Sequence, residues 1–397
     1  MYIVNERLGS LVGISMFEVK DVRKDFKILN QDTPLIYFDN GATTLKPNSV
    51  NDRLYNYYNN ETSNVNRGVH YLSQLGTDNF DKSRKTIQKF INADSEREII
   101  ITKGTTESIN LVALSYGSLL NDGDEIIISE MEHHANIIPW QLLRERKKIV
   151  IKVIPLDKNG KIIYSEYLKL LSNKTKLVSV VWISNVTGVI NPVEKMIEDA
   201  HKVGAKILID AAQSIAHKKT DVKELDCDFL VFSAHKMYGP TGVGVLYGKE
   251  ELLKLMPPVF GGGDMIDHVT FEKTTYNSLP HKFEAGTPNI GEVIAFSESI
   301  KYMKKLGLEN IAKYENELLK YATQKIKKIK NLIILGDIEE KSAIISFIIK
   351  GIHPVDIGML LDEDKIAIRT GHLCAQPLIR HFDKIHNFGF VATAPSP

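Results

Sequence analysis

From residue 98 to residue 233 the chain alternates short β-rich runs with helical stretches, and this alternation constrains its fold more than any other feature. The runs are EIIIT (98–102), DEIIIS (124–129), IVIKVIPL (149–156), KLVSVVWIS (176–184), AKILID (205–210) and DFLVFS (228–233). Near-continuous apolar strands separated by helices predict an α/β domain on a largely parallel sheet buried on both faces. Strand, helix, strand order implies right-handed crossovers. One intervening helix, NPVEKMIEDAHKVG, opens on Asn191 as a cap with Pro192 in its first turn and closes at Gly204.

A Gly- and Pro-marked passage, PPVFGGGDM at 257–265, interrupts the pattern. After residue 290 a Lys- and Glu-rich helical region leads to apolar strands at 332–335 and 343–349. A large domain is therefore expected over residues 35–285 and a smaller α+β domain over 286–397. Ahead of them, residues 16–34 form an N-terminal segment expected to pack with the small domain. Residues 1–15 are an extension with no assignable chemistry; they lack the small-residue cleavage site of an export signal. At 397 residues, 43% of them hydrophobic, the chain has apolar content enough for both cores.

Fifty Lys and Arg against 49 Asp and Glu leave a net charge of +1, too little to attract nucleic acid or an anionic membrane. No apolar run approaches the roughly 18 residues of a membrane span. Cys227 and Cys374 are too few for a disulfide framework and suit a reducing compartment, the cytoplasm in the simplest reading. No second cysteine stands at ligand spacing and the histidines are scattered, so no metal is expected.

In an open parallel sheet, ligands gather at the carboxyl ends of the strands. The strand at 98–102 runs into Lys103-Gly104-Thr105-Thr106-Glu107 and a helix, where free N–H groups and hydroxyls suit a phosphate or merely a cap. AKILID ends in Asp210, with Gln213 three residues on. A carboxylate there either caps the next helix or meets a cation such as a pyridinium nitrogen. DFLVFS delivers Ser233-Ala234-His235-Lys236. A lysine at the end of a buried strand is either a solvated loop residue or a desolvated amine able to react with an aldehyde. Cys227, at the start of a buried strand, reads as apolar filler. Cys374 lies in a Gly-, Pro- and His-containing loop with Arg369 nearby, where a thiolate is favoured and reachable.

The ordered motifs GTTES, EHHAN, SNVTG, IDAAQS, SAHKMYGPTGVG, FEAGTPN and RTGHLCAQP resemble the class V aminotransferase-fold enzymes of pyridoxal 5′-phosphate (PLP). Within these, the chain is most similar to the SufS-like cysteine desulfurases, the group with an arginine before the cysteine loop, from about residue 16 to about residue 380. The resemblance implies fold type I and covalent attachment of PLP at Lys236. It pairs Asp210 with the ring nitrogen, Gln213 with the phenolic oxygen, and His133 with the ring face and proton transfer. It gives the phosphate to Thr105, Ser233 and His235, with Thr287 reaching the cofactor of a second subunit, and so implies a homodimer. Asn185, His70 and Arg369 fall beside the substrate. L-cysteine is then converted to alanine, Cys374 carries the sulfur as a persulfide, and a SufU-like or SufE-like protein accepts it for iron–sulfur cluster assembly.

Two departures stand out. The ending HNFGFVATAPSP does not match the family, and Phe388-Gly389-Phe390-Val391 falls near the place of an arginine that grips the substrate carboxylate, while Arg380 follows Cys374 too soon to replace it. Leu373 stands where the family has a second histidine. Selenocysteine lyase or cysteine sulfinate desulfinase activity is the neighbouring expectation, and the missing arginine motivates a third, a PLP-binding but inactive partner protein.

Overall fold

The computed structural model describes residues 18–33, 35–388 and, as backbone alone, 392–394. The expectations for residues 1–15 and for Gly389, Phe390 and Val391 lie outside the described residues. Strand β1 (Ile36–Tyr37) pairs away from the main sheet. That sheet comprises β2 (Ile99–Thr102), β3 (Glu125–Ser129), β4 (Val150–Ile154), β5 (Thr175–Val181), β6 (Lys206–Asp210), β7 (Phe229–Ser233) and β8 (Gly244–Gly248), in the order β2-β8-β7-β6-β5-β3-β4. From β4 to β7 all neighbours are parallel, so the expected α/β architecture is what the chain adopts.

β8 was not legible as a strand, because its glycines dilute the apolar signal. It runs antiparallel between β2 and β7. Gly244 is needed there: a Cβ would lie 2.3 Å from the Gly104 Cα, so the two segments pass this closely only because residue 244 has no side chain.

The near-continuous apolar strands follow from burial on both faces. Ile127, Val178, Ile207, Ile209, Leu230 and Phe232 join one core with residues of the helices Tyr71–Phe90, Val193–Lys202 and Ile290–Leu306. Their neighbours Ile126, Ile128, Leu177, Leu208, Phe229 and Val231 join the other, with Thr105–Ser115 and Ile138–Arg146. Successive residues of a strand point to opposite faces, which splits them this way. Asn191 does not cap the helix that follows it. Its buried amide donates to the Val181 carbonyl at 2.7 Å, and Pro192 takes the cap position without a side-chain bond.

A hairpin of β9 (Ile266–Val269) and β10 (Thr274–Tyr276) precedes a second sheet. Its strands are β11 (Leu332–Leu335), β12 (Ile345–Ile349), β14 (Arg369–Thr370) and β15 (Ala392–Ala394), all antiparallel, while β13 (Ile366–Ala367) pairs parallel with β1. Leu319, Ile345, Phe347 and Ile357 form its own core. The helix Ile290–Leu306 buries Val293, Phe296 and Met303 against the large sheet's side, so packing changes after it rather than at residue 286. Phe26 of the N-terminal segment meets the rings of Tyr238 and Tyr302, and Asp25 accepts from the Tyr302 hydroxyl at 3.0 Å.

One buried ion pair ties the FEAGTPN loop to this frame. Arg84 makes two bonds of 2.7 and 2.8 Å to Glu284, whose carboxylate also accepts from the Ile101 amide. Removing one member leaves a buried charge uncompensated. Arg84→Met is therefore expected to lower unfolding free energy by about 3–5 kcal/mol in denaturant titration; a loss below about 1 kcal/mol, typical of an exposed pair, contradicts it.

Candidate active site

The carboxyl ends of β5, β6 and β7 lie side by side, with Val181 opposite Asp210 and Asp210 opposite Val231. Around them opens a cavity of about 250 Å³. Ten of the twelve residues expected at the site line it: Thr105, His133, Asn185, Asp210, Gln213, Ser233, His235, Lys236, Arg369 and Cys374.

Lys236 closes a short turn, Ala234–Lys236, directly after β7. Burial lowers its pKa, and Arg369 pushes the same way against the opposing pull of Asp210 and Cys374. A neutral amine is the nucleophilic form. Asp210 is 3% exposed, and burial raises its pKa although the Ala212 amide, at 2.9 Å, and Lys236 pull it down. It caps no helix, since the following turn Ser214–Ala216 starts from Gln213. A cation beside this carboxylate would offset its burial cost. Gln213 gives one amide hydrogen to the Gly41 carbonyl at 2.8 Å and keeps a second for a ligand.

At the start of the helix Thr105–Ser115, the Thr105 amide donates to Ser233 Oγ at 2.8 Å and the two hydroxyls lie 2.7 Å apart. Hydroxyls at a helix N-terminus suit an anion. His235 completes this end of the cavity, its pKa lowered to about 4 by burial and by the cations Lys236 and Lys46.

His133 accepts from the Ala135 amide at Nδ1, which leaves its proton on Nε2. Burial, then Lys236 and His134, lower its pKa to about 4, so the ring is neutral near pH 7. Beneath it Glu132 is fully buried and its pKa is pushed up to about 8, chiefly by burial. Asn185 lines the cavity and donates to the Leu373 carbonyl at 2.8 Å, while its buried Oδ1 has no hydrogen-bond partner among the described residues. Arg369 is held by Asp39 in a two-bond pair of 2.9 and 2.8 Å.

Cys374 is exposed and lines the cavity. Its φ of 54° follows a Leu373 φ of 52°. Two successive left-handed residues with side chains are strained, at about 1–3 kcal/mol each, so the surrounding structure must hold them. His134, to which sequence reasoning gave no role, does part of this. Its amide donates to the Cys374 carbonyl at 2.6 Å and its Nε2 accepts from the Gln376 amide at 3.1 Å. Leu373 packs its side chain against a core that includes Met131 and Val186, which suits an apolar residue there. Cys227 is fully buried, and burial drives its pKa far up, as expected of a filler.

Two expected residues lie elsewhere. His70 is exposed and caps the helix Tyr71–Phe90, its Nδ1 accepting from the Ser73 amide. Thr287 is exposed and accepts from the Asn64 amide at 3.4 Å. Both belong to one patch, because Ser73 also bonds the Asn64 carbonyl. Arg380 is exposed and lines no part of the cavity.

These residues fit PLP: a buried amine, a buried carboxylate close enough to influence it, a hydroxyl-lined helix start and an unpartnered amide oxygen share one cavity. Residues 36–390 match the family described as aminotransferase class-V. The chain belongs to that family, whose members are PLP enzymes. It is 48% identical over 374 residues to the cysteine desulfurase of Synechococcus elongatus, covering 93% of this chain and 60% of the relative. A cysteine desulfurase of Wigglesworthia glossinidia brevipalpis is 48% identical over 384 residues, covering 95% of this chain and 93% of the relative. The solved apo cysteine desulfurase of Thermococcus onnurineus NA1 superposes with a TM-score of 0.90 at 37% identity, over 97% of this chain and 94% of that one. Within the aminotransferase class-V family the chain thus belongs with the cysteine desulfurases, as its motifs implied. It spans only part of some relatives and nearly all of others.

Proposed function

We propose that the chain converts L-cysteine to L-alanine, with PLP on Lys236 and the sulfur leaving on Cys374 as a persulfide. The observation that carries this reading is the convergence of Lys236, Asp210 and an exposed Cys374 on one cavity. PLP held there supplies an electron sink for charge developing at the substrate Cα. Asp210 keeps the ring nitrogen protonated, and Gln213 donates to the phenolic oxygen. Thr105, Ser233 and His235 would hold the phosphate, and the neutral His133 would pack on the ring.

The protein's own groups then move the atoms. Lys236, through its neutral amine, is the base that takes the proton from the substrate Cα. Cys374 Sγ, as a thiolate, attacks the substrate sulfur, so an S–S bond forms as the Cβ–S bond breaks and its electrons stay with the carbon fragment; the protonated Lys236 gives back the proton it took, and His133 Nε2 is placed to relay it. The carbon fragment leaves as alanine. Arg369, held in place by Asp39, and Asn185 are the lining residues placed beside the substrate in this reading.

In the same reading two copies associate through the patch that carries His70 and Thr287, giving each residue to the other copy's cavity. Exposed Val69 and Tyr71 beside His70 supply apolar area for such contact. A second protein takes the sulfur from Cys374 for iron–sulfur cluster assembly, which the exposure of that residue allows. Purified protein should be yellow and should release alanine from L-cysteine when a thiol is present. Yellow protein releasing no alanine overturns the desulfurase assignment, and faster turnover of selenocysteine that ignores loss of Cys374 redirects it to a lyase.

A further inference from the structure

The segment Asp39–Lys46 reaches the site at four points. Asp39 holds Arg369, and the Gly41 carbonyl takes a hydrogen from Gln213. The Thr44 hydroxyl accepts from the Tyr238 amide at 2.8 Å. The fourth point is the His235 carbonyl, part of the peptide bond that enters Lys236. It receives the Thr44 amide at 2.9 Å, the Thr43 hydroxyl at 3.2 Å, the Thr44 hydroxyl at 3.1 Å and the Lys46 ammonium at 3.2 Å. A carbonyl oxygen has two lone pairs, so four donors around one is an unusually crowded restraint.

The hydrogens are consistent. Thr43 Oγ1 gives its single proton to His235 and accepts from Lys46 Nζ at 3.1 Å, while Thr44 Oγ1 gives its proton to His235 and accepts from Tyr238. Lys46 therefore acts on the carbonyl both directly and through Thr43. Its third acceptor is the Thr44 carbonyl, and among the described residues no carboxylate pairs with it. Burial without a counter-charge lowers its pKa to about 8, so holding this cation here costs desolvation energy. On the far side of Lys236, Tyr238 has a φ of 64°, a left-handed conformation that a bulky residue rarely adopts. Both ends of the turn are thus held by the same short loop.

We propose that Lys46 is a positioning residue that fixes, through the His235 carbonyl, the orientation in which Lys236 is presented to the cavity. The inference rests on the reading of Lys236 as the cofactor lysine. Lys46→Met keeps the stem and removes the donors, and Lys46→Arg keeps charge and donors. Full-length, cofactor-free protein is mixed with PLP, and covalent attachment is followed by absorbance and by borohydride trapping on Lys236. Turnover of L-cysteine is measured on the loaded protein.

For Lys46→Met, attachment is expected to slow roughly tenfold and kcat to fall by a similar factor, with KM held within about twofold. Lys46→Arg is expected to recover most of both. Wild-type attachment rate and kcat in Lys46→Met overturn the proposal, as does an equal defect in Lys46→Arg. Should Lys46→Met fail to fold, Thr43→Val removes the bridging hydroxyl and is expected to slow attachment in the same direction; an unchanged rate overturns the proposal. Trapping of PLP on another lysine in the wild type defeats the reading of Lys236 itself, which separates the two failures.

Discussion

Lys236→Ala is expected to give a folded, colourless protein that no longer holds PLP covalently and whose alanine production from L-cysteine falls at least about a thousandfold. Two roles end together in this variant, the covalent hold and the base that takes the Cα proton. The structure singles out this amine among the many lysines of the chain. It lines the cavity one turn beyond β7, burial lowers its pKa, and the carboxylate that influences it is itself buried. Absorbance of the purified protein and borohydride trapping followed by peptide mass check the result. A variant that stays yellow and traps PLP elsewhere would falsify the assignment.

The same substitution carries a stability signature of known sign. The folded pKa of Lys236 lies below its unfolded value of about 10.4. In the window between the two, the unfolded cofactor-free chain binds more protons than the folded one. Stability therefore rises with pH there and is smallest below the folded pKa, where a charge must be buried. Lys236→Ala is expected to be at least as stable as the cofactor-free parent at neutral pH and to lose this part of the rise. Denaturant titrations across that window measure it, and identical pH dependence in parent and variant contradicts it.

Cys374→Ala is the second large effect: full PLP absorbance with alanine release reduced about a hundredfold or more and no sulfur retained on the protein. No other thiol can substitute. Cys227 is fully buried, and burial holds it in its protonated form. Alanine should be accommodated, because the Leu373–Cys374 turn is held from outside by His134 and Asn185. Mass spectrometry after a pulse of L-cysteine should find one added sulfur on the peptide containing Cys374 in the parent and none in the variant. Unchanged alanine production removes Cys374 from the mechanism.

Five of the six strands were legible because burial on both faces demands apolar residues at nearly every position, and that demand is written locally; the edge strand β4, which leaves Val150 and Val153 exposed, was legible from its β-branched run instead. β8 escaped because its close passage over Gly104 requires glycine, which weakens the same signal. The helix Ile290–Leu306 sits with the large sheet although its sequence resembles the helical region after it. Its hydrophobic residues show that it is buried, but not against which core.

Sequence alone determined the strand and helix alternation, the contrast between a filler cysteine and a reachable one, and the motif order that marks the family, but left Lys236 open between a solvated loop and a desolvated site. All of these depend on residue type and short spacing. Only tertiary structure decided which groups meet: Asp39 with Arg369 across 330 positions, Lys46 with the His235 carbonyl across 189, and Gln376 with His134 across 242. It also placed His70 and Thr287 outside their own chain's cavity and on one shared patch. Such contacts arise from how the sheets pack, and no local pattern encodes them, because a hydrogen bond leaves the same residue type in the sequence whichever partner it finds.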